Sequence, residues 1–275
     1  MTDREQQPEN DGAPATYTHG HPEAVLRSHR WRTAENSAGY LLHRLGPGTS
    51  VLDVGCGPGT ITADLARRVA PGRVLGIDPA PAVVAAAERD HAAANVSFRV
   101  ADVHRLDEPD GAFDVVHAHQ VLQHLADPVA ALGEMRRVCR PGGTVAVRDA
   151  DYEAMTWWPA VPGLDRWLDI YRQVARANGG EPDAGRRLLA WARAAGFAEV
   201  DASASVWCFA TAEDRRWWAG TWAQRTEDSP LADRAVELGL ATRDELEACA
   251  GAWRDWAAHP DAWFAVVHGE LLATP

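Results

Sequence analysis

Cysteine is scarce in this chain and follows no pattern. Cys56, Cys139, Cys208 and Cys249 lie far apart and form no CxxC pair, which argues against a zinc site and against a disulfide framework. That usage fits a reducing cytoplasm, and no metal is expected. Positive charge is short as well. With 27 basic against 39 acidic residues the formal net charge is -12, which excludes broad attraction to nucleic acid or to an anionic membrane surface. No apolar run reaches the ~20 residues of a membrane span, and the first residues lack the apolar centre of a signal peptide. There is no internal repeat, and the GxGxxG spacing of the dinucleotide fingerprint is missing, which argues against a nucleotide-dependent oxidoreductase.

What is present is an ordinary globular composition, 46% apolar and 24% charged, enough for one large domain with a normal core. Residues 1–15 are polar, with Pro8, Gly12 and Pro14, and read as a disordered tail. Residues 16–46 have helical apolar spacing, interrupted near Asn36, Ser37 and Gly39, and read as two helices or one bent one that Gly46-Pro47-Gly48 ends.

Residues 47–148 alternate strand and helix. The predicted strands are 50–54, 73–77, 96–100, 113–117 and 143–148, and the predicted helices are 60–69, 81–93 and 127–139. That alternation implies an α/β fold, a parallel sheet with helices on both faces and ligands at the carboxyl ends of its strands. After residue 148 the composition changes, since eleven of the twelve tryptophans lie beyond residue 150. Residues 149–183 and 211–260 read as helical insertions. Between them, residues 184–210 continue the core with a helix over 184–195 and a strand over 198–210. Residues 261–275 supply a last strand.

Val51-Leu52-Asp53-Val54-Gly55-Cys56-Gly57-Pro58-Gly59-Thr60 reads as a buried strand, a glycine turn and a helix start. Glycines at alternate positions let backbone approach a ligand closely, and the free N–H groups of the helix face the same spot. Asp78 ends the second strand, where a carboxylate can accept from two ribose hydroxyls or, alternatively, cap the next helix. Asp102, after the third strand, is placed to accept from an exocyclic amine, or is a plain loop acid. Asp53 is inside a strand and must find hydrogen-bond donors, from the turn or from a ligand ammonium, so it is expected to hold the loop.

VLDVGCGPGT, GIDPA, ADVHRLD, FDVVHAHQVLQHLADP and MRRVCRPGG together resemble, in order and spacing, the class I S-adenosylmethionine-dependent methyltransferases, closest to their UbiE-like small-molecule branch. The resemblance is strong over residues 40–150 and one of layout beyond. It implies a Rossmann-like, doubly wound seven-stranded sheet, S-adenosyl-L-methionine as cofactor and a small-molecule acceptor such as a natural product, methylated on O, N or C. A homodimer is left open.

By position, the resemblance implies that Gly55, Cys56, Gly57 and Gly59 cradle the methionyl part, that Asp78 holds the ribose, and that Pro79 packs on the adenine. Ala101, Asp102 and Val103 would bound the adenine edge, and His119 and Gln120 would lie beside the sulfonium and amino group. Tyr17, His19 and Arg32 would form a flap over the carboxylate end, where an arginine fork suits a carboxylate.

Methyl transfer asks mainly for alignment and exclusion of water, and for a base only if the acceptor arrives protonated. His124 is the first choice for such a base, with His119 and His117 behind it. The competing reading of His124 is a core histidine. Asp149, Asp151, Tyr152, Trp157 and Trp158, coming off the fifth strand, are the expected substrate contacts, with tryptophans of the insertions walling an apolar or cationic acceptor or merely gluing the insertions together. A quinone-ring C-methyltransferase, or a cofactor-binding regulatory protein without catalysis, remains an alternative.

Overall fold

The structure, a computed structural model, describes residues 31–275. The tail, Tyr17 and His19 lie outside the described residues.

The centre of the sheet is β1 (Val51–Val54), whose four residues are all buried. A strand apolar on both faces belongs in the middle of a parallel sheet covered by helices. β1 pairs in parallel with β2 (Val74–Asp78) on one side and β4 (Phe113–His119) on the other. β3 (Val96–Val100) lies beyond β2, and β5 (Cys139–Ala150) lies beyond β4, both parallel. β8 (Trp263–Thr274) runs antiparallel along β5, and β7 (Glu199–Phe209) pairs antiparallel with the other edge of β8. The doubly wound seven-stranded sheet expected from the sequence is therefore present. It carries one strand the sequence reading missed, the three-residue β6 (Thr156–Trp158), which joins β8 beside the end of β5. The strand order reverses between β1 and β4, the switch point at which such sheets open a crevice at the carboxyl ends of their strands.

The helices begin where the local sequence provides a start. α2 (Thr60–Val69) leaves the glycine turn after β1. α3 (Pro81–His91) and α4 (Pro128–Val138) have proline in the first turn, where its missing N–H costs nothing, and Asp127 caps α4 by accepting from the Ala130 N–H at 2.8 Å. In the described part of the N-terminal region, Thr33 and Asn36 form a capping box for the short α1 (Ala34–Ser37), and a 3-10 turn follows at Leu42–Arg44. The helix expected over 184–195 is divided into a 3-10 turn, Ala184–Arg187, and α6 (Leu188–Ala194).

The insertion after β5 contributes α5 (Pro162–Ala177). The insertion after β7 contributes α7 (Ala212–Glu227), α8 (Pro230–Glu237) and α9 (Arg243–Ala258). They share one aromatic core: Trp167 of α5 meets Trp222 of α7 at 4.6 Å and Trp253 of α9 at 4.8 Å, ring centre to ring centre, all three buried. Edge-to-face pairs of this kind add about 0.5–1.5 kcal/mol each beyond the area they bury. This second core stands over the crevice and fixes the position of its far wall.

Candidate active site

A cavity of about 240 Å³ opens at the carboxyl ends of β1, β2 and β4. Its floor is the glycine turn. Gly55 has φ 66°, and a Cβ there would stand 2.4 Å from Val121 Cγ2; Gly59 has φ 85°, and its Cβ would stand 2.9 Å from Phe98 Cζ. Both positions exclude a side chain on two counts, conformation and space. Gly57 N–H donates to Asp78 Oδ2 at 3.2 Å while Ala80 N–H donates to Oδ1 at 3.0 Å. The Asp78 carboxylate thus ties the turn to the residue before α3 and borders the cavity; α3 itself starts after Ala80 with no side-chain cap.

Asp53 is buried behind this floor. Thr62 Oγ1 of α2 donates to its Oδ2 at 2.6 Å, and His117 Nδ1 of β4 lies 2.7 Å from Oδ1. These side chains of the flanking elements make Asp53 the clamp of β1, α2 and β4. His117 is spent on that clamp and does not line the cavity.

Pro79, Ala101, Asp102 and Val103 line the end of the cavity near β2 and β3. Asp102 Oδ1 accepts from the His104 N–H at 2.9 Å and lies 2.9 Å from His104 Nδ1; the backbone bond comes first among the causes that hold this carboxyl below its usual range. Cys56 also faces the cavity, and burial pushes its thiol up, so it stays protonated and inert.

After β4 the hydrogen bonds fix proton positions. Arg32 Nη2 donates to Gln120 Oε1 at 2.5 Å, so the Gln120 amide nitrogen must be the donor to His268 Nε2 at 2.9 Å, and His268 gives its Nδ1 proton to Val266 O at 3.1 Å. This chain holds Gln120 in its left-handed conformation, φ 54°. The same logic applies next door. Ala150 N–H donates to Gln123 Oε1 at 3.1 Å, so the Gln123 amide nitrogen donates to His124 Nε2 at 3.1 Å and the neutral ring carries its proton on Nδ1. Burial, then the Arg32 charge, lowers His124 to about 3. His119 is buried and held well below the usual histidine value by desolvation, then by Arg32 and Arg148; neither of its ring nitrogens has a hydrogen-bond partner among the described residues.

The expected substrate contacts divide. Tyr152 lines the cavity, stacked on Tyr171 at 4.1 Å. Asp149, Asp151, Trp157 and Trp158 do not line it. Asp149 is turned inward to accept from the Gln123 N–H at 3.1 Å, and burial raises its carboxyl to about 7. Asp151 is taken by Arg186 at 2.6 and 2.8 Å and caps the 3-10 turn Tyr152–Ala154. Trp157 stacks on Phe264 at 5.5 Å, and Trp158 is 61% exposed on the outer side of β6. Sequence reasoning missed Trp31, Trp207, Arg225 and Val266 on the wall, and it placed Trp217, Trp218 and Trp222 in the insertions without separating them from Trp253 and Trp256, which stay in the insertion core. The concentration of tryptophan after residue 150 pointed toward Trp207, Trp217, Trp218 and Trp222, but not to Trp31, Arg225 or Val266.

Sheet order, glycine turn and an acid at the end of β2 define a class I S-adenosylmethionine-dependent methyltransferase fold. Comparison agrees: the profile of the family described as Methyltransferase domain matches residues 45–189, and the chain belongs to that family. It is similar to an uncharacterized methyltransferase of Schizosaccharomyces pombe, 34% identical over 93% of this chain and 95% of that one. A probable methyltransferase of Aspergillus luteorubrus is 32% identical over 95% of this chain and 98% of that one. Among solved structures, the phosphoethanolamine N-methyltransferase 2 of Haemonchus contortus, in complex with S-adenosylhomocysteine, superposes with a TM-score of 0.55 at 18% identity, covering 86% of this chain and 52% of that one. That likeness is one of fold. The chain is a methyltransferase, in a fold class whose cofactor is S-adenosylmethionine. Among the described residues no helix is long and apolar enough to cross a membrane.

The residues present fit the cofactor. The turn offers bare backbone to the cavity at Gly55 and Gly57, while Gly59 packs against Phe98 and does not line it. A carboxylate stands at the end of β2, and the buried His119 nitrogens at the cavity wall await polar partners.

Proposed function

We propose that this chain methylates a small molecule, on O, N or C, by direct displacement. One observation carries the reading: a single cavity runs from the glycine turn to aromatic walls built by both insertions, so one enclosed space serves cofactor and acceptor. When bound, S-adenosylmethionine supplies an electrophilic methyl on a sulfonium that leaves as a neutral thioether.

Gly55, Cys56, Gly57 and Gly59 would hold its methionyl part, Asp78 its ribose, Pro79 and Ala101, Asp102 and Val103 its adenine. Gln120 and Arg32 would serve the amino acid end, with His119 beside the reacting atoms. The walls orient the acceptor and keep water out, which is most of what displacement requires. His124 takes a positioning role here. A ring whose conjugate acid sits near 3, with Nε2 engaged by Gln123, is a poor proton acceptor at neutral pH. Work in the cytoplasm suits its free cysteines.

Incubation of methyl-labelled S-adenosylmethionine with the protein and a cell extract, fractionated afterwards, tests the acceptor class. Label is expected in the small-molecule fraction. Label confined to polypeptide or nucleic acid would overturn the proposal.

A further inference from the structure

His119 ends β4 at the cavity wall, only 5% exposed, with neither ring nitrogen hydrogen-bonded among the described residues. A buried polar group without a partner is costly, and at a cavity wall the missing partner is one that a ligand brings. The ring packs beside Trp207 of β7 at 5.5 Å and His268 of β8 at 6.1 Å, centre to centre. The carboxylates that reach the cavity, Asp53, Asp78 and Asp102, belong to β1, β2 and the loop after β3, the ground given above to the cofactor. His119 belongs to the acceptor's share of the space.

Other polar side chains on that wall are spent. Gln120 uses its oxygen on Arg32 and its nitrogen on His268, Gln123 holds His124 Nε2, Trp207 Nε1 donates to Asn36 O at 2.6 Å, and the Tyr152 phenol is bonded to Tyr171. The Trp218 indole N–H is buried and unpaired among the described residues, but it can only donate. A neutral imidazole carries one N–H and one lone pair, and the lone pair calls for an incoming proton. Burial is the main reason His119 stays unprotonated, and it would penalise any charged guest beside the ring in the same way. An alkylamine is protonated at neutral pH and a carboxylic acid ionised, whereas an alcohol or a phenol arrives uncharged.

We propose that the acceptor is an uncharged, mainly apolar molecule methylated on a hydroxyl oxygen, and that His119 receives the hydrogen bond of that hydroxyl and takes up its proton as the methyl arrives. This rests on the small-molecule reading above and narrows it. The carbon–oxygen bond forms as the carbon–sulfur bond breaks, the sulfur keeps the electrons of the broken bond, and the hydroxyl proton passes to the free His119 nitrogen and on to solvent. An oxygen gaining a methyl group becomes far more acidic than an imidazolium, so a weakly basic ring suffices if its lone pair is free.

Calorimetric titration of the protein loaded with S-adenosylhomocysteine tests the binding, with 2-naphthol, 2-methylnaphthalene, 2-naphthoate and 2-naphthylmethylammonium as probes built on one ring system. Naphthol should bind about tenfold tighter than methylnaphthalene, the worth of one buried hydrogen bond, and tighter than either ion. His119→Phe should erase that preference while S-adenosylhomocysteine still binds, and His119→Gln, whose amide oxygen can accept, should keep part of it. In the wild type with nitrogen-labelled histidine, the His119 ring signal should move on addition of naphthol and stay in place with methylnaphthalene, a readout that needs no variant to fold. Methyl-labelled S-adenosylmethionine incubated with the protein and a cell extract should leave its label on oxygen. Label on nitrogen or carbon, an ion bound best, hydroxyl preference kept in His119→Phe, an unmoved His119 signal, or no naphthol binding to a protein that binds S-adenosylhomocysteine would each overturn the inference and leave the methyl-transfer reading standing. Failure of S-adenosylhomocysteine itself to bind would overturn both.

Discussion

Asp78→Ala is expected to weaken S-adenosylhomocysteine binding by about 10- to 100-fold, the loss of charged hydrogen bonds worth about 1.5–3 kcal/mol. The carboxylate has two protein donors, Gly57 N–H and Ala80 N–H, and it borders the cavity where the ribose would lie. Removing it would loosen the turn and delete the proposed ribose contact together. Asp78→Asn separates the two: an amide oxygen can still accept from one backbone donor, but the charge is gone, so affinity should fall to an intermediate value. Titration calorimetry beside thermal denaturation distinguishes the roles. If both variants lose thermal stability while binding the ligand as the wild type does, Asp78 is only a clasp between turn and helix.

The second large effect is on stability in acid. An unfolded histidine titrates near 6.5, whereas His119, His124 and His268 are kept neutral well below that, chiefly by burial. Below about pH 6.5 the unfolded chain therefore binds up to three protons that the native protein refuses, and stability falls as the pH falls. Each group contributes about 1.4 kcal/mol per pH unit, about 4 together.

Asp149 opposes them. Its carboxyl is raised to about 7, so between about pH 4 and 7 the native state holds a proton the unfolded chain has released, which returns about 1.4 kcal/mol per unit. Asp114, lowered to about 2, enters only below about pH 4. The net expectation is a loss of about 3 kcal/mol per unit below pH 6, or about 6–12 °C in Tm for a chain of this size. Scanning calorimetry at pH 7.5, 6 and 5 measures it. Asp149→Asn should raise Tm at pH 7.5 and steepen the fall. A Tm that is flat from pH 7 to 5 would show that these imidazoles are reached by water and protons.

The sequence disclosed the cofactor side of the site because its signals are local. Three glycines within five residues and an acid at a strand end can be placed without knowing what packs above them; Gly55, Gly57 and Asp78 line the cavity, while Gly59 packs against Phe98 and does not line it. The acceptor side depends on register and on distant partners. Asp149 lies near the end of β5 and Asp151 just after it. One is turned inward by Gln123, 26 residues earlier, and the other is captured by Arg186, 35 residues later.

Trp157 and Trp158 are drawn off by an unforeseen strand, whose pairing with Trp263–Ala265 no local pattern announces. Trp207 and Val266 reach the wall as register partners on β7 and β8. Arg225 is the clearest omission. An arginine late in a helix reads as a solvent-facing charge, and only the packing of α7 against α9 and β7 shows it to be buried.

The decisive measurement is a calorimetric titration of the wild-type protein with S-adenosylhomocysteine and, separately, with NAD. Saturable one-to-one binding of S-adenosylhomocysteine with no heat from NAD is expected if the glycine turn seats a methionine tail. Binding of NAD without binding of S-adenosylhomocysteine would contradict it.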